Sequence, residues 1–118
     1  MGMEVRIASK FYKGPPDGFF KHCRGEYGNQ MAKLIVRRIE NAKAATDLSV
    51  LMHPGFPGRW HWLSGERKFQ VSADLIHPKR LIFEPLESPA NFLNSEGHLD
   101  NSKIVSLVVK EISDTHNE

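Results

Sequence analysis

The chain has 118 residues and a mass of 13.4 kDa, with 40% hydrophobic and 25% charged residues, which suits a single domain over residues 1–118 and excludes a chain disordered throughout. Its formal charge of +2 hides an asymmetry: residues 1–80 carry 14 Lys/Arg against 7 Asp/Glu, and residues 81–118 carry 2 against 7. The basic part suits a polyanion such as RNA, an acidic protein, or simply a solvated surface, while the acidic part tempers unspecific binding.

Cys23 is the one cysteine, which excludes an internal disulfide and fits a reducing compartment. Beside Phe19 and Phe20 it reads as a buried structural thiol rather than a nucleophile. Met1-Gly2-Met3-Glu4 lacks the basic-then-apolar order of a signal peptide, and Arg6 stands where myristoylation takes Ser or Thr. No apolar run approaches the ~20 residues that cross a bilayer. A cytoplasmic protein without a membrane partner is expected.

In chain order, Val5 and Ile7, with Phe11, alternate with polar residues and predict a first strand with one buried face. Gly14-Pro15-Pro16-Asp17-Gly18 ends it, and Asp17 is placed to cap a short helix through Phe19, Phe20, Cys23 and Tyr27, broken at Gly28-Asn29. From Met31, the residues Leu34, Ile35, Ile39, Ala42 and Ala45 follow one helical face, with Lys33, Arg37, Arg38, Glu40 and Lys43 mostly on the solvated side. This predicts a helix of about four turns. Thr46 or Asp47 caps one further turn before Pro54-Gly55-Phe56-Pro57-Gly58 stops helical structure.

The period then becomes two. Trp60 and Trp62 oppose His61 and Leu63, and Phe69, Val71 and Ala73 oppose Gln70, Ser72 and Asp74, with Gly65 to Lys68 as the connection. Arg80 to Glu84 forms a third strand, closed by Pro85. Leu86 to Ser102 is a long polar stretch, read as functional or as an ordered surface excursion, and Ile104 to Ile112 predicts a central strand. The order implies an α+β fold with an N-terminal strand and helices packed on a mainly antiparallel β-sheet.

The six histidines show no His-x-x-x-His spacing, and a Cys-x-x-Cys pair is absent, so neither a metal site nor a cofactor is expected. What remains is an imidazole and cation constellation. Cleaving RNA with its own 2′-hydroxyl as nucleophile requires a proton acceptor, a proton donor near the leaving oxygen, and positive charge around the phosphorane. Histidine suits the proton roles, with a reference pKa of about 6.5, and arginine suits the phosphate through its planar fork. His61, His116, Arg67, Lys68 and Arg80 supply these parts. Each has a structural alternative: His61 covering the sheet, Arg67 and Lys68 solvated in a turn, Arg80 paired with Asp74 or Glu84, and His116 in a frayed end.

Tyr27-Gly28-Asn29-Gln30-Met31-Ala32-Lys33-Leu34, then Arg59-Trp60-His61-Trp62-Leu63-Ser64-Gly65-Glu66-Arg67-Lys68-Phe69-Gln70-Val71-Ser72, Arg80-Leu81-Ile82-Phe83-Glu84-Pro85 and Asp114-Thr115-His116 together resemble the HigB-like, plasmid-maintenance killer branch of the RelE/ParE toxin superfamily. The resemblance spans roughly residues 19–116. It implies a RelE-like fold and a type II toxin that cuts mRNA on the ribosome without a metal and is neutralised by a HigA-type helix-turn-helix antitoxin, with operator DNA reached only through that antitoxin. It further implies His61, Arg80, Asp114 and His116 as catalytic residues and Arg67, with Lys68 in support, as phosphate or RNA contacts; Lys79 joins these contacts as a cation of this chain's own. Thr115 and Lys79 stand where the family commonly has tyrosine, a departure that weighs against base stacking. The alternatives are a ParE-like, gyrase-binding toxin without nuclease activity and a catalytically degenerate protein that only binds its antitoxin.

Overall fold

The structure is a computed structural model and describes residues 1–114. Five strands, β1 (Glu4–Ile7), β2 (His61–Trp62), β3 (Val71–Asp74), β4 (Arg80–Pro85) and β5 (Ser106–Ser113), form one sheet in the order β1-β5-β4-β3-β2. β5 runs parallel to β1 and antiparallel to β4, and the β2–β3 and β3–β4 pairs are antiparallel. The fold is therefore α+β with a mixed sheet, and the run Ile104 to Ile112 contributes β5, an interior strand next to the edge strand β1, while the centre of the sheet is β4. No helix among the described residues is long and apolar enough to cross a membrane.

Three helices follow β1 and lie on one face: α1 (Phe19–Tyr27), α2 (Asn29–Ala44) and α3 (Leu48–Met52). α1 and α2 are separated at Gly28, whose φ of 89° and ψ of 165° suit only glycine. α2 buries Ala32, Ile35, Ile39 and Ala42, the stripe that its spacing predicts. Against it the sheet presents Leu81, Phe83, Leu107 and Val109, all with 0% exposure. Each large apolar side chain so buried contributes about 1.5–3 kcal/mol. Backbone bonds from Met3 to Ala45 (2.8 Å) and from Leu48 to Ile104 (3.0 Å) fasten the helical layer to the ends of β1 and β5.

Several local expectations change. β1 ends at Ile7, and Phe11 lies in a turn whose amide donates to Ala8. Asp17 caps nothing: Pro16–Gly18 forms a 3-10 turn, and α1 starts from Gly18 without a side-chain cap. Asp47 does cap α3, accepting from the Ser49 amide at 2.9 Å. Arg38 leaves the solvated side of α2, being 9% exposed and donating through Nε to the Asp74 carbonyl at 2.8 Å.

The polar stretch after β4 holds a short helix, α4 (Pro89–Phe92), a bridge between Leu93 and Leu99, and a 3-10 turn over Asn101–Lys103. It is anchored rather than loose. Phe92 is 1% exposed and lies 5.8 Å from the Trp62 ring and 5.7 Å from Phe69, and the Trp62 indole donates to Asn101 at 2.8 Å. The order of this stretch thus comes from aromatic packing under it.

Candidate functional site

The face of the sheet turned away from the helices carries the site. Alternation sends Val71, Ala73, Leu81 and Phe83 into the core and leaves Ser72, Asp74, Arg80, Ile82 and Glu84 on the other face. Register then builds two rows across it. His61 stands opposite Ser72, Ser72 opposite Ile82, and Ile82 opposite Glu111; alongside, Asp74 stands opposite Arg80 and Arg80 opposite Ser113. Residues from four separate stretches of sequence are thereby brought together.

His61 is the centre of the first cluster. Its Nε2 lies 2.5 Å from Arg80 Nη1 and 3.3 Å from Ser72 Oγ, and its Nδ1 lies 3.1 Å from the Trp62 carbonyl. A guanidinium can only donate, so Nε2 accepts and the hydrogen sits on Nδ1, where it donates to the Trp62 oxygen. The same Arg80 nitrogen donates to Ser72 Oγ at 3.3 Å and forms an ion pair with Asp74 Oδ1 at 3.4 Å. The Arg80 side chain is only 12% exposed. Ser72, with 0% exposure, satisfies its buried hydroxyl entirely within this cluster.

Asp74 is held from both ends. Its second carboxylate oxygen lies 3.7 Å from Arg59 Nε, its amide donates to the Gly58 carbonyl at 2.7 Å, and its own carbonyl accepts from Arg38. Burial holds the Arg38 guanidinium below its ordinary value, opposed in part by the charge of Asp74. Gly58, at φ 109°, gives Arg38 room: a Cβ there would stand 2.8 Å from Trp60 Nε1 and 3.1 Å from Arg38 Nε.

Arg67 forms the second cluster. From the 3-10 turn Gly65–Arg67 it reaches across the sheet to Gln70 Oε1 (3.0 Å), Glu111 Oε2 (3.2 Å) and Ser113 Oγ (3.0 Å), and Gln70 in turn donates to Glu84 at 3.2 Å. Ile82 sits on this face between the two clusters, yet is 0% exposed, so the polar network roofs an apolar floor.

The predicted residues divide accordingly. His61, Arg67 and Arg80 converge on the open face, and Asp114 follows Ser113 at the end of β5, with contacts of its own. Lys68 turns to the Phe69 ring, 5.1 Å from its centroid, and Lys79 lines a cleft at the other edge of β5. Thr115 and His116 lie outside the described residues. Ser72, Arg38, Arg59, Gln70 and Glu111 also belong to the site, although the sequence does not single them out as functional. The signals were present for some of them: Gln70 and Ser72 hold the polar phase of their strand, and Arg38 stands four residues from both Leu34 and Ala42, on the apolar stripe.

No family model, curated protein or solved structure matches this chain. A neutral imidazole nitrogen can accept a proton once the guanidinium that donates to it turns to an adjacent phosphorane, whose charge the cation then stabilises. Both arginines are also partnered by carboxylates, Arg80 by Asp74 and Arg67 by Glu111, so a phosphate has to compete with internal anions. Among the described residues, no three His, Cys, Asp or Glu side chains come together as metal ligands.

Proposed function

We propose that this chain is a HigB-like toxin, a ribosome-dependent mRNA endoribonuclease neutralised by a HigA-type antitoxin and acting in the cytoplasm. The observation that carries the chemistry is the 2.5 Å contact of His61 Nε2 with Arg80 Nη1 on the open sheet face. The order of the quoted motifs supports the toxin class, and the basic residues before β4 suit a polyanionic substrate.

In the proposed reaction the substrate phosphate draws Arg80 off His61 Nε2, and the lone pair so freed takes the proton of a substrate 2′-hydroxyl, which forms a bond to the adjacent phosphorus as the bond to the leaving 5′-oxygen breaks. The products are a cyclic phosphate and a 5′-hydroxyl. Arg80 and Arg67 stabilise the charge on the phosphorane oxygens. The leaving oxygen takes a proton from an acid, the role that the resemblance gives to His116.

A second reading has its own support. Because both arginines already bind carboxylates and Thr115 and Lys79 replace aromatic residues of the family, a catalytically silent protein that only binds its antitoxin fits the same geometry.

The test is to induce the chain alone in bacteria and map message 5′ ends for the wild type and His61→Gln, whose amide oxygen keeps an acceptor for Arg80. Cleavage confined to translated message, and reduced about 100-fold or more in the variant at unchanged stability, is expected. Intact message in the wild type overturns the nuclease reading: growth arrest would then indicate a gyrase-directed, ParE-like toxin, and continued growth the silent protein.

A further inference from the structure

β1 stops at Ile7, whereas β5 runs on to Ser113. The amide of Ala8 makes a last bond to Val109 at 2.8 Å, after which the turn bonded to Ala8 swings Lys10 and Phe11 alongside the freed edge of β5. On its other side, β5 carries an irregularity: Glu111 pairs with Ile82 and Val109 with Phe83, leaving Lys110 as the extra residue. Between these features and the α1–α2 corner lies a cleft of about 550 Å³.

Its lining combines two chemistries. Phe11, Tyr27 and Met31 provide an apolar, aromatic wall, with the Phe11 and Tyr27 rings 6.2 Å apart and inclined by only 12°. Lys10, Lys79 and Lys110 provide the charge. Among the described residues none of these three lysines forms an ion pair, in contrast to Arg67 and Arg80. Among the described residues Glu111 is the one acid in the lining, and it is held by Arg67.

We infer that this cleft is a nucleotide subsite that takes a residue of single-stranded RNA next to the scissile position, with a base against Phe11 and Tyr27 and flanking phosphates on Lys10, Lys79 and Lys110. Unpaired ammonium groups supply the sequence-independent attraction to phosphate, and aromatic faces supply stacking worth about 1–3 kcal/mol per base. Either feature alone would suit many anions or apolar groups, and the pair selects a nucleotide. Glu111 lines the cleft and binds Arg67 of the second cluster, and Lys79, also in the lining, directly precedes Arg80 of the first. A strand leaving the open face reaches the cleft by rounding the edge of β5 beyond the end of β1. The inference rests on the proposed RNA function and adds a subsite to it.

The experiment uses the full chain and a short, fluorescein-labelled single-stranded RNA with 2′-deoxy substitutions that block cleavage, read by fluorescence anisotropy across a salt series. The double variant Lys10→Ala/Lys110→Ala is expected to bind at least 10-fold more weakly, with a salt slope lower by about 1.4, the value for two lost contacts to a single strand. Tyr27→Leu is expected to weaken binding roughly 5-fold or more; urea melts of the same samples show that these variants are folded. Affinity unchanged in both variants overturns the subsite while leaving the endonuclease reading to the message mapping. AMP binding as tightly as the RNA overturns it in favour of a free-nucleotide site, and inorganic phosphate binding that tightly in favour of a plain anion site. Wild-type chain that does not bind the RNA overturns it too, and cleavage of message in cells would still stand apart from that failure.

Discussion

Arg80→Ala removes three contacts from one nitrogen: 2.5 Å to His61 Nε2, 3.3 Å to Ser72 Oγ and 3.4 Å to Asp74 Oδ1. A hydrogen bond made by a charged group contributes about 1.5–3 kcal/mol. The ion pair adds only about 0.5 kcal/mol, because Asp74 is 27% exposed and keeps Arg59 at 3.7 Å. Ser72 retains His61 as a partner at 3.3 Å, so its buried hydroxyl is not orphaned. The expected loss is therefore about 2–3 kcal/mol, a sizeable part of the roughly 5–15 kcal/mol that stabilises a domain. With a urea m-value of about 1.5 kcal/mol per molar, the midpoint of a tryptophan-fluorescence melt falls by roughly 1.3–2 M. His61→Ala in both backgrounds completes a double-mutant cycle, with an expected coupling of about 1–2 kcal/mol. A midpoint shift below about 0.3 M, or additive single effects, would refute the contact on which the site is built. The same arithmetic makes Arg80→Ala a poor variant for activity, since loss of toxicity would mix chemistry with lost folding.

Gly58→Ala forces a Cβ to within 2.8 Å of Trp60 Nε1 and 3.1 Å of Arg38 Nε, at a φ of 109°; a loss of about 2–4 kcal/mol is expected, and a thermal melt within 2 °C of wild type would show that Arg38 is not confined there. Cys23 is 0% exposed, and burial pushes its thiol from 9.0 up to about 11. The folded state thus holds that proton more tightly than the unfolded state, so its contribution is complete below about pH 9 and is lost as the pH rises towards 11. On the order of 2 kcal/mol should disappear across that interval in urea melts and should be largely recovered in the slope of Cys23→Ala; equal slopes in the two proteins would contradict the assignment.

Local pattern carried much of the fold. The stripe through Leu34, Ile35, Ile39 and Ala42, the break at Gly28, a cap at Thr46 or Asp47 and the β-rich run ending at Ile112 were legible because each depends on neighbours within a turn or two. The alternation of Gln70, Ser72 and Asp74 against Val71 and Ala73 likewise settled which side chains share a face. Nothing local states which strand lies beside which, or in what register. Only the sheet order decided that His61 meets Ser72 and Arg80, that Asp74 rather than Glu84 pairs with Arg80, and that Arg67 spans from its turn to β5. Arg38 was misjudged for the same reason, since a cation on an apolar stripe finds its acceptor on a loop and strand 36 positions away. Long-range pairing reflects the burial of the whole core at once, and a polar cluster assembled by register becomes visible only when that core has closed.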